Sequence, residues 1–354
     1  MIFNNFIKNN SAVSGGGIYC ENSDAQISDN KIRENVNEQR GGGIYVDTCL
    51  TIEILDNEIT DNNGSAIFCS RSHSIVSGNS MIGNSGGGLR IDEGYDIFVS
   101  NNVIADNYSN FHGGGLYVVE SQPFFINNII YNNSTSGNGG GIYSRDSQVM
   151  IENSILWADS AEGSGDEIYY SGTVPSLIYC DIYGGWTGIG NIDTDPLFRD
   201  VQSLDFHLMA IECGDSLDSP CIDTGNPGVL DSLLDCSWGL GTSASDMGAY
   251  GGGDSTTSSI AIEPSLPKYF ELKQNYPNPF NNSTQISYAL PQAAHVIIEV
   301  YDILGRRVSV LVDEDQQAGY HQITWRAAGK SSGVYFYKLQ TGEFTRTRKM
   351  ILLK

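Results

Sequence analysis

Aromatic side chains recur at one position of a repeated pattern in the first half of the chain. Each follows an apolar residue that comes shortly after a glycine-rich stretch. In an outward column, the rings would give sugar rings an apolar platform, and exposed apolar patches usually have a use. Alternatively, the rings only pack on one another and stabilise neighbouring strands by a few tenths to about 1 kcal/mol per pair. The candidate column consists of Tyr19, Tyr45, Phe68, Tyr117, Tyr143 and Tyr169.

One basic and two acidic residues interrupt this aromatic column. Arg90 stands where an aromatic residue is expected, and Asp92 and Glu93 follow it. These three side chains would give a ligand groove a polar centre. The alternative is a salt bridge, the commoner role of one arginine among acids.

Acidic residues recur at two further positions of the pattern. Asp29 and Asp56 share one position, and Glu34, Asp61 and Asp106 share the other. Such carboxylates could bind Ca²⁺ for a polysaccharide lyase, in which a nearby basic residue removes the proton α to a uronate carboxylate. The alternative is a solvated acidic face. There is no short catalytic signature, so the sequence identifies no catalytic residue and predicts no cofactor other than this calcium.

The elements that must position these residues belong to a repeat of 22–27 residues. Its marker is an Asn-x-apolar unit, about ten residues before each glycine-rich stretch. The marker asparagines are Asn5, Asn30, Asn57, Asn79, Asn102, Asn128 and Asn153, with Asp181 continuing the series. A second series follows five residues later, at Asn10, Asn35, Asn62, Asn84, Asn107 and Asn133.

Within each repeat the apolar residues alternate with a period of two, which predicts strands. Three short strands per repeat, with polar or glycine corners, describe one turn of a parallel β-helix whose turns stack at about 4.8 Å. After the glycines, the predicted inward residues are Ile18, Cys20, Ile44, Val46, Ile67, Cys69, Leu89, Ile91, Leu116 and Val118. Before the asparagines they are Ile27, Ile54, Val76, Val99, Phe125 and Met150, and after them Ile32, Ile59, Met81, Ile104, Ile130 and Ile155.

Stacked turns also explain the asparagines. An inward amide both donates and accepts, so equivalent amides would join into a ladder at each corner. A leucine-rich repeat has an overlapping period but needs several leucines per unit, and residues 1–150 contain four. The nonapeptide period of calcium-binding β-rolls does not match.

Residues 1–183 resemble the right-handed β-helix repeats of the pectin-lyase-like superfamily. Residues 184–253 resemble the closing segment of many secreted bacterial β-helix proteins, on phrases such as 190–198, 219–225 and 246–250. Because a solenoid end exposes an unpaired edge and an open core, we expect this region to be a cap.

Residues 251–267 are rich in Gly, Ser, Thr and Pro, and this composition predicts a linker at 254–267. Beyond them, six alternating segments predict an antiparallel sandwich. They are 285–290, 296–301, 307–312, 321–326, 334–340 and 345–352.

Residues 268–354 closely resemble the type A C-terminal sorting domain of the type IX secretion system. The resemblance rests on the motifs at 274–281, 301–308 and 333–339 and on the closing residues 348–354. It implies export across the outer membrane through that system, followed by attachment to the cell surface. A generic immunoglobulin-like domain is the alternative.

The charge balance restricts the partners. The chain has 19 Lys and Arg against 42 Asp and Glu, and all but 7 of these acids lie before residue 268. Nucleic acid is an unsuitable partner, since binding phosphates needs a basic surface. No apolar run is long enough for a membrane helix. The chain opens inside a repeat without a signal peptide, so we expect the natural start upstream.

Seven cysteines are sparse, and Cys213, Cys221 and Cys236 lie close enough for one disulfide bond of unspecified pairing. The features together favour an all-β, non-enzymatic surface protein that binds glycans or mediates adhesion. The alternative is a polysaccharide lyase or glycoside hydrolase of the pectin-lyase-like class. Glycan binding without product release distinguishes the first from the second.

Overall fold

A computed structural model describes residues 1–94, 96–231, 233–252, 270–275, 277–327, 329–342 and 344–353. Its contacts divide the chain into two units, Met1–Ser259 and Ile260–Lys354. The predicted linker at 254–267 lies outside the described residues. No helix among the described residues is long and apolar enough to cross a membrane.

The first unit contains a parallel β-solenoid with three main sheets, in which each strand pairs with its equivalent one turn away. Sheet I contains Ile2–Phe3, Ala25–Ser28, Ile52–Leu55, Ser74–Ser77, Phe98–Ser100, Phe124–Ile126, Met150–Glu152 and Ser176–Ile178. Sheet II contains Phe6–Lys8, Lys31–Arg33, Glu58–Thr60, Ser80–Ile82, Val103–Ala105, Ile129–Tyr131, Ile155–Trp157 and Asp181–Ile182. Sheet III contains Ile18–Glu21, Ile44–Asp47, Ile67–Ser70, Leu89–Asp92, Leu116–Val119, Ile142–Arg145 and Ile168–Ser171.

Shorter strands extend some corners of the solenoid. Ser11–Ser14 pairs with Val36–Arg40, and a small sheet joins Tyr108–Ser109, Ser134–Thr135 and Ser160–Ala161. All these pairings are parallel, as a β-helix requires.

The predicted inward residues form one buried core through the first six turns. In the next turn the prediction is wrong by one residue. Met150 is 40% exposed, while its neighbour Ile151 lies in the core. Likewise, Leu156 packs inside and Ile155 points away from this core. Strand side chains alternate between faces, so a one-residue slip exchanges inward and outward positions.

Both asparagine series form hydrogen-bonded ladders, as predicted. The Nδ2 of Asn57 donates to Oδ1 of Asn79 over 2.9 Å, and Nδ2 of Asn79 donates to Oδ1 of Asn102 over 3.0 Å. Each Oδ1 also accepts a backbone N–H from the preceding turn, for example Asn79 N to Asn102 Oδ1 at 2.9 Å. The amides thereby satisfy the backbone where the chain leaves one sheet for the next.

The first ladder ends differently from its prediction. The backbone N–H of Asn128 donates to the hydroxyl of Ser154 at 3.1 Å, so Ser154 takes the ladder position and Asn153 precedes it. Because Ile155 pairs with Asp181, the next residue of this column is Cys180 and not Asp181. The second ladder ends at Asp159, whose Oδ1 accepts from both N and Nδ2 of Asn133.

Residues 184–252, here called the lateral segment, close the last solenoid turn only with their first part. Asn191 Oδ1 accepts the N–H of Cys180 at 2.9 Å, Ile192 bonds to Cys180 and Ile182, and Trp186 packs against the core. Of the region predicted as a final rung and cap, 184–253, this first part covers the end of the solenoid. The elements beyond this part are the antiparallel strands Phe198–Asp200 and Asp205–Leu208 and the 3₁₀ helices Val201–Ser203 and Ile211–Cys213.

The rest of the lateral segment packs along the outer face of sheet II. There Phe206, Leu208, Met247 and Ala249 form a second buried cluster with outward residues of the solenoid. From the second turn onward these outward residues are first polar, at Lys31, Glu58 and Ser80, and then apolar, at Val103, Ile129 and Ile155. A covered face needs apolar side chains, which explains the change.

One disulfide bond, Cys213–Cys236, crosslinks the lateral segment. This is the pairing that the sequence left open. Cys221 is buried, and its thiol donates to Asp181 Oδ2 at 3.2 Å.

The second unit is an antiparallel sandwich. One sheet contains Glu271–Leu272, Ser283–Leu290 and Gly319–Arg326, and the other contains Arg307–Gln316, Ala294–Asp302, Gly333–Thr341 and Phe344–Leu352. All six predicted segments lie within these strands, which extend beyond them by one to four residues. Inward residues such as Ile298, Trp325 and Tyr337 form a core of their own.

Candidate functional site

The register of sheet III brings the six predicted aromatic residues into one column. Tyr19 pairs with Tyr45, Tyr45 with Phe68, Tyr117 with Tyr143, and Tyr143 with Tyr169. The ring centroids are 5.2, 4.8, 5.1 and 5.5 Å apart in that order, with interplanar angles of 21°, 30°, 14° and 8°. We call these six residues together with Arg90 the aromatic column.

Arg90 continues this column and does not break it. Its guanidinium carbon lies 4.7 Å from the ring centroid of Phe68 and 4.6 Å from that of Tyr117. The guanidinium is planar and stacks favourably on aromatic faces. It also donates from Nη2 and Nε to Asp92 Oδ2 at 2.6 and 3.1 Å. The salt bridge that the sequence offered as the alternative therefore forms between Arg90 and Asp92, while Arg90 remains stacked between the two rings. Glu93 is exposed at the next corner with a φ of 52°.

The stacking geometry corrects the expectation of an aromatic platform. Neighbouring rings lie nearly parallel across the strands, so their faces contact each other and only their edges can point outward. A sugar ring stacks on an aromatic face, and these faces are already occupied. What the aromatic column offers a ligand is a row of phenol hydroxyls and one guanidinium.

Exposure along the aromatic column is also uneven. The predicted outward exposure is wrong for Tyr45, Phe68 and Tyr143, which are 3%, 2% and 7% exposed. His112 lies against Tyr143 with a centroid distance of 4.5 Å and helps to cover it. The accessible members are Tyr19 and the half-buried Tyr117, Tyr169 and Arg90; they are the ones that a ligand can touch.

The phenols of Tyr19 and Tyr117 stay protonated. Burial and the hydrogen-bonded Glu21 raise the pKa of Tyr19 to about 12, and burial raises the pKa of Tyr117. Both hydroxyls can therefore donate hydrogen bonds over the whole physiological pH range.

A second charged pair flanks the same face. Arg71 Nη2 lies 2.6 Å from both carboxylate oxygens of Asp47, and Tyr45 OH donates to Asp47 Oδ2 at 3.3 Å. The Asp47–Arg71 pair was not among the residues predicted from the sequence. A signal was present, since Asp47 stands two residues after Tyr45 and so shares its outward face.

The candidate calcium ligands lie at solenoid corners. Asp29 and Asp56 occupy one corner and Glu34 and Asp61 the other, all with positive φ between 53° and 56°. Glu34 is bound by Lys8 at 2.9 Å. Asp106, the further member of that series, accepts from Asn132 Nδ2 at 2.6 Å. Within the described part of the chain no three His, Cys, Asp or Glu side chains are grouped to hold a metal ion.

Family comparisons match both parts of the chain. A family model described as right-handed beta helix region matches residues 16–195, and the secretion system C-terminal sorting domain matches residues 274–353. The repeat of the Chlamydia polymorphic membrane protein matches residues 5–21. No curated protein matches the chain.

Two solved structures share a limited likeness. PorZ, an essential bacterial surface component of the type IX secretion system of Porphyromonas gingivalis, is 17% identical over 32% of this chain and 14% of its own, with a TM-score of 0.18. Tailspike protein 2 of the Escherichia coli O157:H7 bacteriophage CAB120 is 10% identical over 92% of this chain and 51% of its own, with a TM-score of 0.23. This chain thus spans about half or less of each.

Proposed function

Because the chain belongs to the right-handed β-helix family and carries a secretion-system sorting domain, we propose that it is a non-enzymatic surface protein that binds polysaccharide. The sorting domain directs export through the type IX secretion system, and the exported protein is attached to the outer surface of the cell. The solenoid then presents the accessible part of the aromatic column to glycans.

The observation that carries the binding proposal is the arrangement around Arg90. Its guanidinium is fixed by two rings and by Asp92, while its side chain remains 40% exposed. Tyr117 adds a protonated hydroxyl on one side. Polysaccharides present closely spaced hydroxyl and carboxylate groups, which accept hydrogen bonds from such donors. A fixed donor set loses little entropy on binding, which favours recognition.

The same contacts argue for binding and against cleavage at this place. A basic residue that removes a proton must first be neutral, and Arg stays protonated in proteins.

Glycan binding tests this proposal on the full chain. We expect Arg90→Gln and Tyr117→Phe each to raise the Kd for an array-selected polysaccharide. For Arg90→Gln, which removes a charged donor, we expect a rise of about tenfold. Tyr143→Phe is the matched control, because its ring is buried in the same column. Equal affinities for all variants would remove the aromatic column as the site. Release of unsaturated, ultraviolet-absorbing oligosaccharides would show a lyase instead.

Export is tested separately. In a host with the type IX system, we expect deletion of residues 268–354 to leave the protein inside the outer membrane. A deletion variant that reaches the medium or the cell surface as fully as the intact chain would contradict the role of this domain.

A further inference from the structure

Two aliphatic side chains stand in water at one turn of the sorting domain. Ile303 is 69% exposed and Leu304 is 71% exposed. They lie in the turn that joins strands Ala294–Asp302 and Arg307–Gln316. Among the described large apolar residues of this domain these two are the most exposed, ahead of Leu353 and Val310.

The backbone of this turn is held tightly. Asp302 Oδ1 accepts the N–H groups of Leu304 and Arg306 at 2.9 and 3.0 Å, and Oδ2 accepts Nε of Arg306 at 2.8 Å. The main chains of Asp302 and Arg306 bond at 3.0 Å, as do those of Gly305 and Asp302. Gly305 supplies the positive φ of 76° that the turn requires.

Folding requires the ends of the turn but not its middle. An Asp that bonds to following N–H groups and a Gly with positive φ account for the geometry. The side chains of Ile303 and Leu304 remain in solvent, where polar residues would serve as well. A single exposed leucine is common. Two adjacent aliphatic residues on a fixed turn, by contrast, form a preorganised apolar contact.

The charges beside the turn indicate what meets it. Arg306 uses Nε on Asp302, but its side chain is 74% exposed and a guanidinium has further N–H donors. Arg307 donates to Glu299 at 2.8 Å and is 61% exposed. The complementary surface is an apolar pocket with acidic or carbonyl oxygens at its rim.

We propose that the turn at residues 302–307 is the element by which the type IX secretion machinery recognises this domain, with Ile303 and Leu304 inserted into such a pocket. This inference rests on the proposed export function. It adds to that function the surface of the domain that the machinery binds.

The test uses the full chain behind the host's own inner-membrane leader. We expect Ile303→Ser/Leu304→Ser to reduce the extracellular to periplasmic ratio by about tenfold or more, as for loss of a central interface contact. Its Tm should equal that of the unaltered protein, because both side chains are exposed. Ile303→Val/Leu304→Met should restore export. Val310→Thr is the control, an exposed apolar residue on a strand of the same domain.

Wild-type export of the Ser variant would overturn the inference, whereas the deletion of 268–354 tests the export function itself. If Ile303→Ser/Leu304→Ser has a lower Tm than the unaltered protein, the single variants Ile303→Gln and Leu304→Gln replace it. Their export is compared only where their Tm is unchanged. Normal export of both, or loss of export with Val310→Thr alone, would equally reject the turn as the recognition element.

Discussion

At the scale of single residues, the asparagine ladders stabilise the solenoid through buried amides. Asn102 is fully buried, and its Nδ2 donates to Val76 O, Ser100 O and Asn128 Oδ1 at 2.8 to 2.9 Å. Its Oδ1 accepts both N–H groups from Asn79. The ladder is therefore a continuous network in which each amide has partners on both sides.

We expect Asn102→Ala to lower the free energy of unfolding by about 3 kcal/mol or more. The change leaves the buried N–H of Asn79 unpaired, at about 1–3 kcal/mol, and removes further hydrogen bonds of the amide, at about 0.5–1.5 kcal/mol each. Denaturant unfolding followed by circular dichroism measures it. The exposed Asn110 provides the control, and its alanine variant should change stability by less than about 0.5 kcal/mol. Similar small effects of both variants would contradict the role of the ladder.

The carboxylate that ends the second ladder makes stability depend on pH. Asp159 is buried, Glu167 Oε1 accepts its N–H at 3.2 Å, and Asp159 Oδ2 has no hydrogen-bond partner among the described residues. Burial raises the pKa of Asp159 to about 7, and burial together with the Asp159 charge raises that of Glu167. The folded state therefore retains protons that the unfolded chain releases near pH 4. The contribution of Asp159 to stability is complete below that pH and is lost as the pH rises through 7, whereas that of Glu167, whose pKa is raised further, is lost at higher pH.

Asp159→Asn should weaken this dependence, because only the buried Glu167 then still titrates. The amide keeps the Oδ1 acceptor for Asn133 and carries no charge at any pH. We expect the variant to melt a few degrees higher than the unaltered protein at pH 8 and about equally at pH 4, as followed by calorimetry. As the control, Glu162→Gln neutralises an exposed carboxylate nearby and should leave the difference between the two pH values unchanged. A lower Tm of Asp159→Asn at pH 8 would show that the buried charge is stabilising.

At the scale of elements, the lateral segment depends on the apolar face of sheet II. Phe206 is 1% exposed and contacts Tyr131 and Phe198 edge to face at 5.4 and 5.6 Å. We expect Phe206→Ala to cost about 3–5 kcal/mol of local stability through the cavity that it creates. Faster hydrogen exchange at 198–250, with the solenoid core unchanged, would show it. Leu217→Ala, at a site 54% exposed, serves as the control, and equal exchange in both variants would contradict the prediction.

The sequence predicts these elements as far as local periodicity reaches. Alternation and asparagine spacing indicate the three sheets and the ladders, because each turn repeats the same contacts. The sequence placed Asn153 in the ladder, one residue too early. The ladder position belongs to Ser154, whose hydroxyl replaces the amide oxygen, and Asn153 makes other contacts. Asn153 Nδ2 donates to Ser245 Oγ at 3.1 Å, and its Oδ1 accepts the N–H of Asn226.

Long-range packing limited the rest of the prediction. Asn101 and Asn127, which occupy the corner position of Asn153, also donate to the lateral segment, at Ala249 O and Asp246 O. Such contacts join residues more than 100 positions apart, and the repeat pattern gives no indication of them. The column of aromatic residues was found for the same reason as the ladders, but ring orientation and burial depend on neighbouring corners such as that of His112.

At the scale of the whole molecule, each unit has its own buried core, and none of the residues that the structure describes belongs to both cores. In the sorting domain, Tyr337 is fully buried, and its hydroxyl donates to Lys273 O at 2.6 Å and accepts the N–H of Asn275 at 2.7 Å. Removing the hydroxyl takes this partner from the N–H of Asn275, which costs about 1–3 kcal/mol. The effect belongs to the smaller core alone.

Calorimetry should therefore resolve two transitions that respond to different substitutions, since separate cores unfold as separate cooperative units. We expect Tyr337→Phe to lower the Tm of the sorting-domain transition and Asn102→Ala to lower that of the solenoid, with the other transition unmoved in each case. Tyr183→Phe, at a solenoid site 57% exposed, should move neither. If either substitution shifts both transitions together, the two units unfold as one. An export defect of a sorting-domain variant could then also arise from a change in the stability of the solenoid.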